Sequence, residues 1–244
     1  MVLTNDKLIF SSKEEIISNY KEMDISKLGG TSNIYKYKND QIMKVFHIIA
    51  NDKKRELIDI FKDYDPNIFS VPNLRIMIED KLFGYTMNLF NGKEIHYIKN
   101  NTQLSNIFDF FDDKFDKQIE KMSKDKIKMW DMNTWHILFN NNTNQLRFID
   151  FDGYKIEKEM SPDELYVWNI VEITSNLLDV LLESMTLRMQ LCEINRKHIQ
   201  DLGSLKKVLY TIKEILERLT NKEITTIKDC RNAAKIIEKK YYKF

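Results

Sequence analysis

Residues 129–154 read MWDMNTWHILFNNNTNQLRFIDFDGY, and this stretch decides how the rest of the chain is interpreted. Two apolar runs, Ile137–Phe139 and Leu146–Ile149, flank the polar tract NNNTNQ. Asn, Thr and Gln favour turns because their side chains compete for backbone hydrogen bonds. The stretch therefore predicts a β-hairpin, with Asp131 shortly before its first strand and Asp150 directly after its second.

The outer ends of a hairpin lie close together, so we expect the carboxylates of Asp131 and Asp150 to converge. Two carboxylates in such a place suit two tasks. One can orient a nucleophilic hydroxyl, and the other can hold a divalent metal on a polyphosphate. Two solvated loop residues would have the same spacing, because aspartate is usually exposed. The spacing alone leaves both interpretations open.

The order of residues in this stretch resembles the protein-kinase-like superfamily. Members carry an Asp, four intervening residues and an Asn, then a strand, a turn, a second strand and Asp-Phe-Gly. Here Asp131 is followed by MNTW and then by His136, which takes the place of the Asn. Asp150 and Phe151 match the start of the second motif. Asp152 stands where the Gly is usual, which is similar to the small-molecule kinase branch.

The resemblance assigns roles to these residues. Asp131 would be the catalytic residue that orients the acceptor hydroxyl and takes its proton. Asp150 and His136 would occupy the two metal positions, and the implied cofactors are ATP and magnesium. Imidazole prefers softer metals than magnesium, so His136 departs from the pattern.

Small residues earlier in the chain predict a turn that can lie over phosphates. Gly29, Gly30 and Ser32 fall within SKLGGTSNIYKY, where apolar and polar residues alternate on both sides of the turn. Backbone N–H groups in such a turn can bind phosphate. An ordinary hairpin turn would have the same composition, so the residues alone do not decide between the two.

Lys44 lies inside the apolar run QIMKVF and would be costly to bury without a partner. The exposed face of an edge strand would explain it. By resemblance, it would instead hold the α- and β-phosphates and pair with an acidic residue on the next helix. The segment KKRELIDIF at Lys53–Phe61 has helical spacing, and Glu56 is the expected partner.

A second hairpin is predicted for Val71–Glu79 and Lys81–Phe90, with its turn at Glu79–Asp80. The end of its second strand resembles the strand that leads into the hinge between kinase lobes. By resemblance, three residues there would contact adenine through their backbone: Asn88, Leu89 and Phe90.

The predicted fold class is α+β, arranged as a bilobal protein-kinase-like fold. Asn91-Gly92 marks a turn, so we expect residues 1–90 to form an N-terminal nucleotide-binding lobe with an antiparallel sheet and a helix. Residues 91–244 would form a mostly helical catalytic lobe. Its helices would begin with a long amphipathic one at Thr102–Met122 and continue with a strongly apolar one at Leu165–Met185 and three more.

The composition bounds the class of protein. The chain has 38 basic and 37 acidic residues and a net charge of +1, which gives no reason to expect nucleic acid or membrane as a partner. Its apolar runs are shorter than a bilayer span, and no secretory signal is evident. Two cysteines are too few for a disulfide framework. We therefore expect a cytoplasmic protein.

Three functions remain open. The first is transfer of the ATP γ-phosphate to a protein Ser or Thr hydroxyl. The second is transfer to a small molecule, as in aminoglycoside- or choline-type kinases, because Asn133 stands where protein kinases usually carry Lys and no Ala-Pro-Glu follows. The third is a pseudokinase that binds nucleotide or a partner without turnover, which His136 and Asp152 favour.

Overall fold

The computed structural model describes residues 1–23 and 30–242, except for the side chains of residues 194, 195 and 197–202. Its contacts divide the chain into two compact units. Unit 1 comprises Met1–Asn91 and Ile149–Asp152, and unit 2 comprises Gly92–Phe148 and Gly153–Phe244. The predicted α+β class is confirmed, because the structure combines a six-stranded sheet with a set of α-helices.

Unit 1 contains six strands and two helices among its described residues. They are β1 (Val2–Leu3), β2 (Lys7–Phe10), α1 (Lys13–Asn19), β3 (Ser32–Lys38), β4 (Gln41–Phe46), α2 (Asp52–Phe61), β5 (Arg75–Ile78) and β6 (Lys81–Asn88). The strands form one sheet in the order β1-β2-β5-β6-β4-β3.

The prediction of a wholly antiparallel sheet is wrong at one pair of strands. β2 runs parallel to β5, whereas the other neighbours are antiparallel, so the sheet is mixed. Parallel neighbours need a long connection, and the chain between these two strands contains two helices and two further strands. The sequence analysis assigned no strand to Lys7–Phe10, although Leu8 and Phe10 are buried in the alternating pattern of a half-covered strand.

One predicted turn of unit 1 lies wholly within the described residues, and a second lies there only in part. β5 and β6 pair across Glu79 and Asp80, which have φ angles of 49° and 64°, so this hairpin is confirmed. Met23 donates from its backbone N–H to the carbonyl of Ile34, and the chain before the small-residue turn therefore pairs with β3. Gly29 lies outside the described residues.

Both faces of the central strand β4 are covered. One face belongs to a buried apolar cluster: Leu8, Phe10, Ile16, Tyr35, Met43, Val45, Ile76 and Ile78. On α2, Phe61 stacks on Phe151 with ring centroids 4.3 Å apart, and Phe46 packs edge-on against Tyr85. Because β4 lies between β3 and β6, the interpretation of Lys44 as an exposed edge-strand residue is excluded.

Unit 2 is mostly helical. Its strands are β7 (Lys93–Glu94), β8 (Ile127–Lys128), β9 (Ile137–Asn140), β10 (Gln145–Phe148) and β11 (Lys155–Ile156), and its helices are α3 (Ser105–Phe108), α4 (Asp113–Lys124), α5 (Pro162–Leu182), α6 (Met185–Leu202), α7 (Leu205–Thr220) and α8 (Ile227–Tyr241). β9 and β10 form the predicted hairpin, β7 pairs with β9, and β8 pairs with β11.

α5 is the core helix of unit 2. It begins at Ser161 with a capping box to Glu164 and has Pro162 in its first turn. By length and composition it could span a bilayer, which the sequence analysis did not expect. However, 56% of its most apolar window is buried inside the fold, where it packs against α4, α6, α7 and α8. It is therefore packed as the central helix of a globular unit.

The predicted continuous helix at Thr102–Met122 is wrong. The structure has two helices there, α3 and α4, and the second begins at Asp112. The Asp112 carboxylate accepts hydrogen bonds from the backbone N–H groups of Lys114 and Phe115, which starts a new helix where the apolar spacing alone predicts continuation. The three helices predicted after α5 are present as α6, α7 and α8.

Candidate functional site

Lys44 is the centre of a buried ionic cluster in unit 1. This residue lies on β4 and is only 5% exposed. The ammonium contacts Asp150 Oδ1 and donates to Asp152 Oδ1 over 2.5 Å. Tyr85 donates its hydroxyl to the same Asp152 oxygen over 3.0 Å, and Lys54 Nζ lies 3.2 Å from Asp152 Oδ2. We call these five residues the Lys44 cluster.

The backbone of unit 1 brings these side chains together. Lys44 and Tyr85 are directly opposite each other on β4 and β6. A Cβ at Gly84 would lie 1.9 Å from the carbonyl oxygen of Lys44, so this approach of the two strands requires glycine. Phe151 packs against Phe61 of α2 and against Tyr85, which fixes the short turn between Asp150 and Asp152.

Charge, rather than burial, decides the ionisation of the cluster. Burial by itself would lower the pKa of the Lys44 ammonium, but Asp152 and Asp150 outweigh it and raise the pKa above its ordinary value. Burial would raise the pKa of Asp152, yet Lys44 and Lys54 hold it well below its usual range. Burial and the same carboxylates raise the pKa of Tyr85 well above its ordinary value. Lys44 and Asp152 are therefore a charged, paired couple at neutral pH.

The predicted pairing of Lys44 with Glu56 is not what the structure shows. Glu56 is exposed on α2, and the residue of α2 that reaches the cluster is Lys54. Side chains two positions apart on a helix are separated by about 200° around its axis. Glu56 therefore points away from the sheet when Lys54 faces it. The acidic partners come instead from the turn at Asp150–Asp152.

The other residues predicted to bind nucleotide lie in unit 1. Gly30 contributes its carbonyl oxygen to a contact of 2.9 Å with His47 Nδ1, and Ser32 begins β3. Asn88 accepts a hydrogen bond from Asn73 through its side chain. Leu89 donates its backbone N–H to the carbonyl of Asp40 over 2.8 Å, so this donor is already engaged. One further predicted contact residue is half-buried: Phe90.

Asp131 lies in an exposed loop of unit 2 between β8 and β9. A Cβ built on Gly153 would lie 3.8 Å from Asp131 Oδ2, so the aspartate side chain faces the backbone of this glycine. Asn133 accepts a hydrogen bond from the backbone N–H of Trp135 and caps the 3-10 turn Thr134–His136. His136 is therefore placed at the end of that turn, directly before β9.

Two asparagines of α5 anchor the Asp131 loop. Asn169 is fully buried; its Oδ1 accepts from the backbone N–H of Met129 over 2.8 Å, and its Nδ2 donates to the carbonyl of Ile127 over 3.0 Å. Asn176, two helical turns later, donates to the carbonyl of Met132 over 3.4 Å. The sequence analysis did not assign them this role, although polar residues seven apart on an apolar helix mark one shared face.

Backbone strain singles out the two predicted aspartates. Eight non-glycine residues of the described chain have positive φ. Six of them lie in hairpin turns or just after helix ends, where this conformation is common: Glu79, Asp80, Asn144, Lys126, Glu183 and Asn221. The other two are Asp131, with φ of 60°, and Asp150, with φ of 67°. Such residues persist where the surrounding structure holds them, and they cluster at functional sites.

The donors present fit a hard cation at Asp150. Its side chain is 32% exposed, whereas that of Asp152 is 4% exposed and has both oxygens engaged. The structure describes no group of three or more His, Cys, Asp or Glu side chains that could hold a metal. Magnesium is usually held by one or two carboxylates together with phosphate oxygens, a role that Asp150 fits. The imidazole of His136 suits softer metals.

The structure assigns these residues to different units. Lys44, Asp150 and Glu56 belong to unit 1, and Asp131 and His136 belong to unit 2. The convergence of Asp131 with Asp150 therefore stays a prediction. Comparison with models of known protein families finds no match to this sequence, and comparison with curated proteins finds none either. The function is therefore inferred from the chain's own residues.

Proposed function

We propose that the chain is an ATP-dependent phosphotransferase with a protein-kinase-like fold, which moves the γ-phosphate to a hydroxyl acceptor. The observation that carries the proposal is the strained backbone of Asp131 and Asp150. Sequence order selects these two residues as the catalytic and metal-binding aspartates, and the left-handed φ angles at both are independent support.

The Lys44 cluster supports the nucleotide half of this proposal. A lysine that is buried and charged needs anionic partners, and phosphate oxygens are such partners. Asp152 is the buried, fully bonded partner that keeps Lys44 in place. Asp150 is the more accessible of the two carboxylates and would be released from Lys44 when phosphate binds. Magnesium, when bound there, would neutralise charge on the transferring phosphates.

Asp131 would supply the acceptor half. It would accept a hydrogen bond from the acceptor hydroxyl, aim the oxygen at the phosphate and take the proton as the bond forms. Positioning of this kind depends on a fixed loop, and Asn169 and Asn176 hold the loop to α5. Catalysis would then come mainly from orientation and charge neutralisation.

The proposed acceptor is a protein Ser or Thr, and a small-molecule acceptor is the second candidate. The short connection between Gly153 and α5 favours the second, because it leaves room only for β11 and a brief loop. A cytoplasmic location is proposed with both, and Cys192 and Cys230 form no disulfide.

Thermal unfolding with ATP, with and without magnesium, tests the proposal. The proteins compared are the wild type, Asp150→Asn and Asp80→Asn. Asp80 is a matched control, because it is an exposed aspartate of the same unit with φ of 64°. Ligand at about one hundred times its Kd adds about 2.7 kcal/mol of stability, which raises Tm by about 5–10 °C.

We expect this magnesium-dependent rise in the wild type and in Asp80→Asn, and its loss in Asp150→Asn. An equal rise in Tm in Asp150→Asn would contradict the assignment of Asp150 as the magnesium ligand. No rise in any of them at millimolar ATP would contradict the phosphotransferase proposal and leave a pseudokinase that acts through a protein partner. With binding shown, release of ADP by wild type but not by Asp131→Asn would separate a kinase from a nucleotide-binding pseudokinase.

A further inference from the structure

Two lysines and two tryptophans form a compact surface in unit 2. Lys128 on β8 and Lys155 on β11 are directly opposite each other in the antiparallel pair. The rings of Trp130 and Trp168 are stacked with centroids 6.4 Å apart and an angle of 10°. Lys155 Nζ lies 3.5 Å from the centre of the Trp130 ring, and Lys128 Nζ lies 3.8 Å from that of Trp168. We call these four residues the Lys-Trp surface.

The positive charge of the Lys-Trp surface is not neutralised within the described part of the chain. Neither Lys128 nor Lys155 forms an ion pair with a described carboxylate, and like charges directly opposite on two strands destabilise the pair. Besides the tryptophan rings, the hydrogen-bond partner of Lys128 among the described residues is the sulfur of Met160, at 3.7 Å. The buried indole Nε1 of Trp168 also has no described acceptor. The surface thus presents the positive charge of two lysines with no carboxylate partner among the described residues.

Neighbouring charges do not change this balance. Lys126 donates to the carbonyl of Met160, and its charge lies near Glu164, whose carboxylate is itself bonded to the Ser161 backbone. Glu157 accepts from the backbone N–H of Glu159. These acidic side chains are engaged around the start of α5 and make no ion pair with the two lysines of the Lys-Trp surface within the described structure.

The place and the shape of this surface indicate what it binds. Trp130 directly precedes Asp131 and is 43% exposed, and Trp135, four residues after Asp131, is 42% exposed. Large exposed aromatic residues beside cations are typical of binding surfaces. Sites for small molecules are concave and enclose most of the ligand, whereas Trp130 and Lys155 are exposed to solvent. An extended chain with negative charge fits the surface better than a free anion.

We propose that the Lys-Trp surface binds an acidic segment of a protein acceptor and so places a nearby hydroxyl beside Asp131. Carboxylates of the segment would bind Lys128 and Lys155, and its apolar atoms would lie on Trp130. The acceptor role rests on the proposed phosphotransferase function, whereas binding of an acidic segment does not require catalysis. The two can therefore fail separately.

Fluorescence anisotropy of a labelled peptide tests the binding directly. The probe is a peptide in which aspartates flank one serine, and its neutral counterpart carries asparagines instead. The variant Lys128→Gln/Lys155→Gln removes both charges. Lys235→Gln/Lys239→Gln on α8 is the matched control, because it makes the same charge change at two exposed positions. Lys128→Arg/Lys155→Arg keeps the charge and should keep the affinity.

We expect the acidic peptide to bind wild type more tightly than the neutral one, and to lose about tenfold in affinity with Lys128→Gln/Lys155→Gln only. Higher salt should weaken this binding. Equal affinity for both peptides, or equal loss in the control, would overturn the proposal. Tighter binding of oligothymidylate would assign the surface to single-stranded nucleic acid instead, and competition by free phosphate at equal concentration would assign it to a small anion.

The same variants separate this inference from the proposed function. If Asp131→Asn binds the acidic peptide normally but transfers no phosphate to it, both proposals are supported. If wild type binds the peptide but binds no ATP, the phosphotransferase fails, the acceptor role fails with it, and the acidic-segment surface stands. If wild type phosphorylates neutral and acidic peptides with the same KM, the surface does not select the acceptor.

Discussion

Asp152→Asn is the most informative single change in the Lys44 cluster. It keeps the size of the side chain and one hydrogen-bond acceptor, but it removes the charge that faces both Lys44 and Lys54. Asp152 is 6% exposed and Lys44 is 5% exposed, so little water can replace the lost charge. We expect a clear loss of stability in unit 1, because a buried ammonium would keep only Asp150 as an anionic partner.

The size of the loss can be bounded from the contacts. Removing one member of a buried ion pair costs about 3–5 kcal/mol when the other charge is left alone. Here Asp150 still contacts Lys44, and the new amide oxygen can still accept from Tyr85 or Lys44. We therefore expect a cost of about 2–4 kcal/mol, which corresponds to a fall in Tm of about 5–15 °C.

The effect should depend on pH in a defined way. The pKa of Asp152 is lowered in the folded protein, so its contribution to stability is present above the unfolded pKa of about 4 and is lost as the pH falls further. The difference in the free energy of unfolding between wild type and Asp152→Asn should thus be constant from about pH 5 to about pH 8. It should become smaller below about pH 4. The pKa of Lys44 is raised, so its contribution to stability is present at neutral pH and is lost only as the pH rises above its unfolded pKa of about 10.

Urea and thermal unfolding measure the loss of stability and its pH dependence. The proteins compared are wild type, Asp152→Asn, Lys44→Met and the double variant. Asp80→Asn is the control, because Asp80 is an exposed aspartate of the same unit and we expect it to change stability by less than about 0.5 kcal/mol. The double variant should be less destabilised than the sum of the single ones. Additive effects, or an Asp152→Asn protein as stable as Asp80→Asn at pH 7, would refute the argument that Asp152 holds Lys44.

Three more predictions follow from other contacts. Glu56→Gln should change neither the free energy of unfolding nor that of nucleotide binding by more than about 0.5 kcal/mol. If the rise in Tm caused by ATP were smaller in this variant, Glu56 would be the partner of Lys44 after all. Asn169→Leu leaves two buried backbone groups without a hydrogen-bond partner and should lower the free energy of unfolding in urea by about 2–4 kcal/mol. Asn176→Leu loses a longer hydrogen bond and should lower it by less. Burial raises the pKa of Asp116 to about 6, so the fold loses stability as the pH rises from the unfolded pKa of about 4 to about 6, and the loss stays constant above that. Asp116→Asn should therefore be about 1–2 kcal/mol more stable than wild type at pH 7.5 and equal to it near pH 4, and no pH dependence of this difference would contradict the assignment.

Local patterns in the sequence predicted most of the elements that the structure contains. The polar tract between β9 and β10 and the turn at Glu79–Asp80 each have a strong local preference. The prediction failed where a single side chain overrode periodicity, as at Asp112, which caps the start of α4 a few residues after α3 ends. It also missed the parallel pairing of β2, because pairing across a long connection has no local pattern in the sequence.

The candidate site was harder to predict than the fold for a related reason. Asp131, Asp150 and Lys44 could be selected by their order along the chain. The partners that hold them could not, since Asp152, Tyr85 and Asn169 act through contacts between distant segments. Glu56 illustrates this: α2 reaches the cluster through Lys54, and the acidic partners of Lys44 come from the turn at Asp150–Asp152 instead. The apolar residues of a helix show which face packs on the sheet, but they do not show which of two polar residues beside that face reaches a given site.

The proposed function implies the kinase pattern, and this chain differs from that pattern at two related positions. In that pattern a helix glutamate pairs with the strand lysine, and a glycine follows the Phe of the metal-binding motif. Here the acid has moved to Asp152, in the place of that glycine, and α2 contributes the cation Lys54 instead. The charge around Lys44 is thus still balanced, with Asp150 left as the more accessible carboxylate. Under the proposed function, Asp152 would take the part that the helix glutamate has in that pattern, and we expect Asp152→Asn but not Glu56→Gln to lose stability.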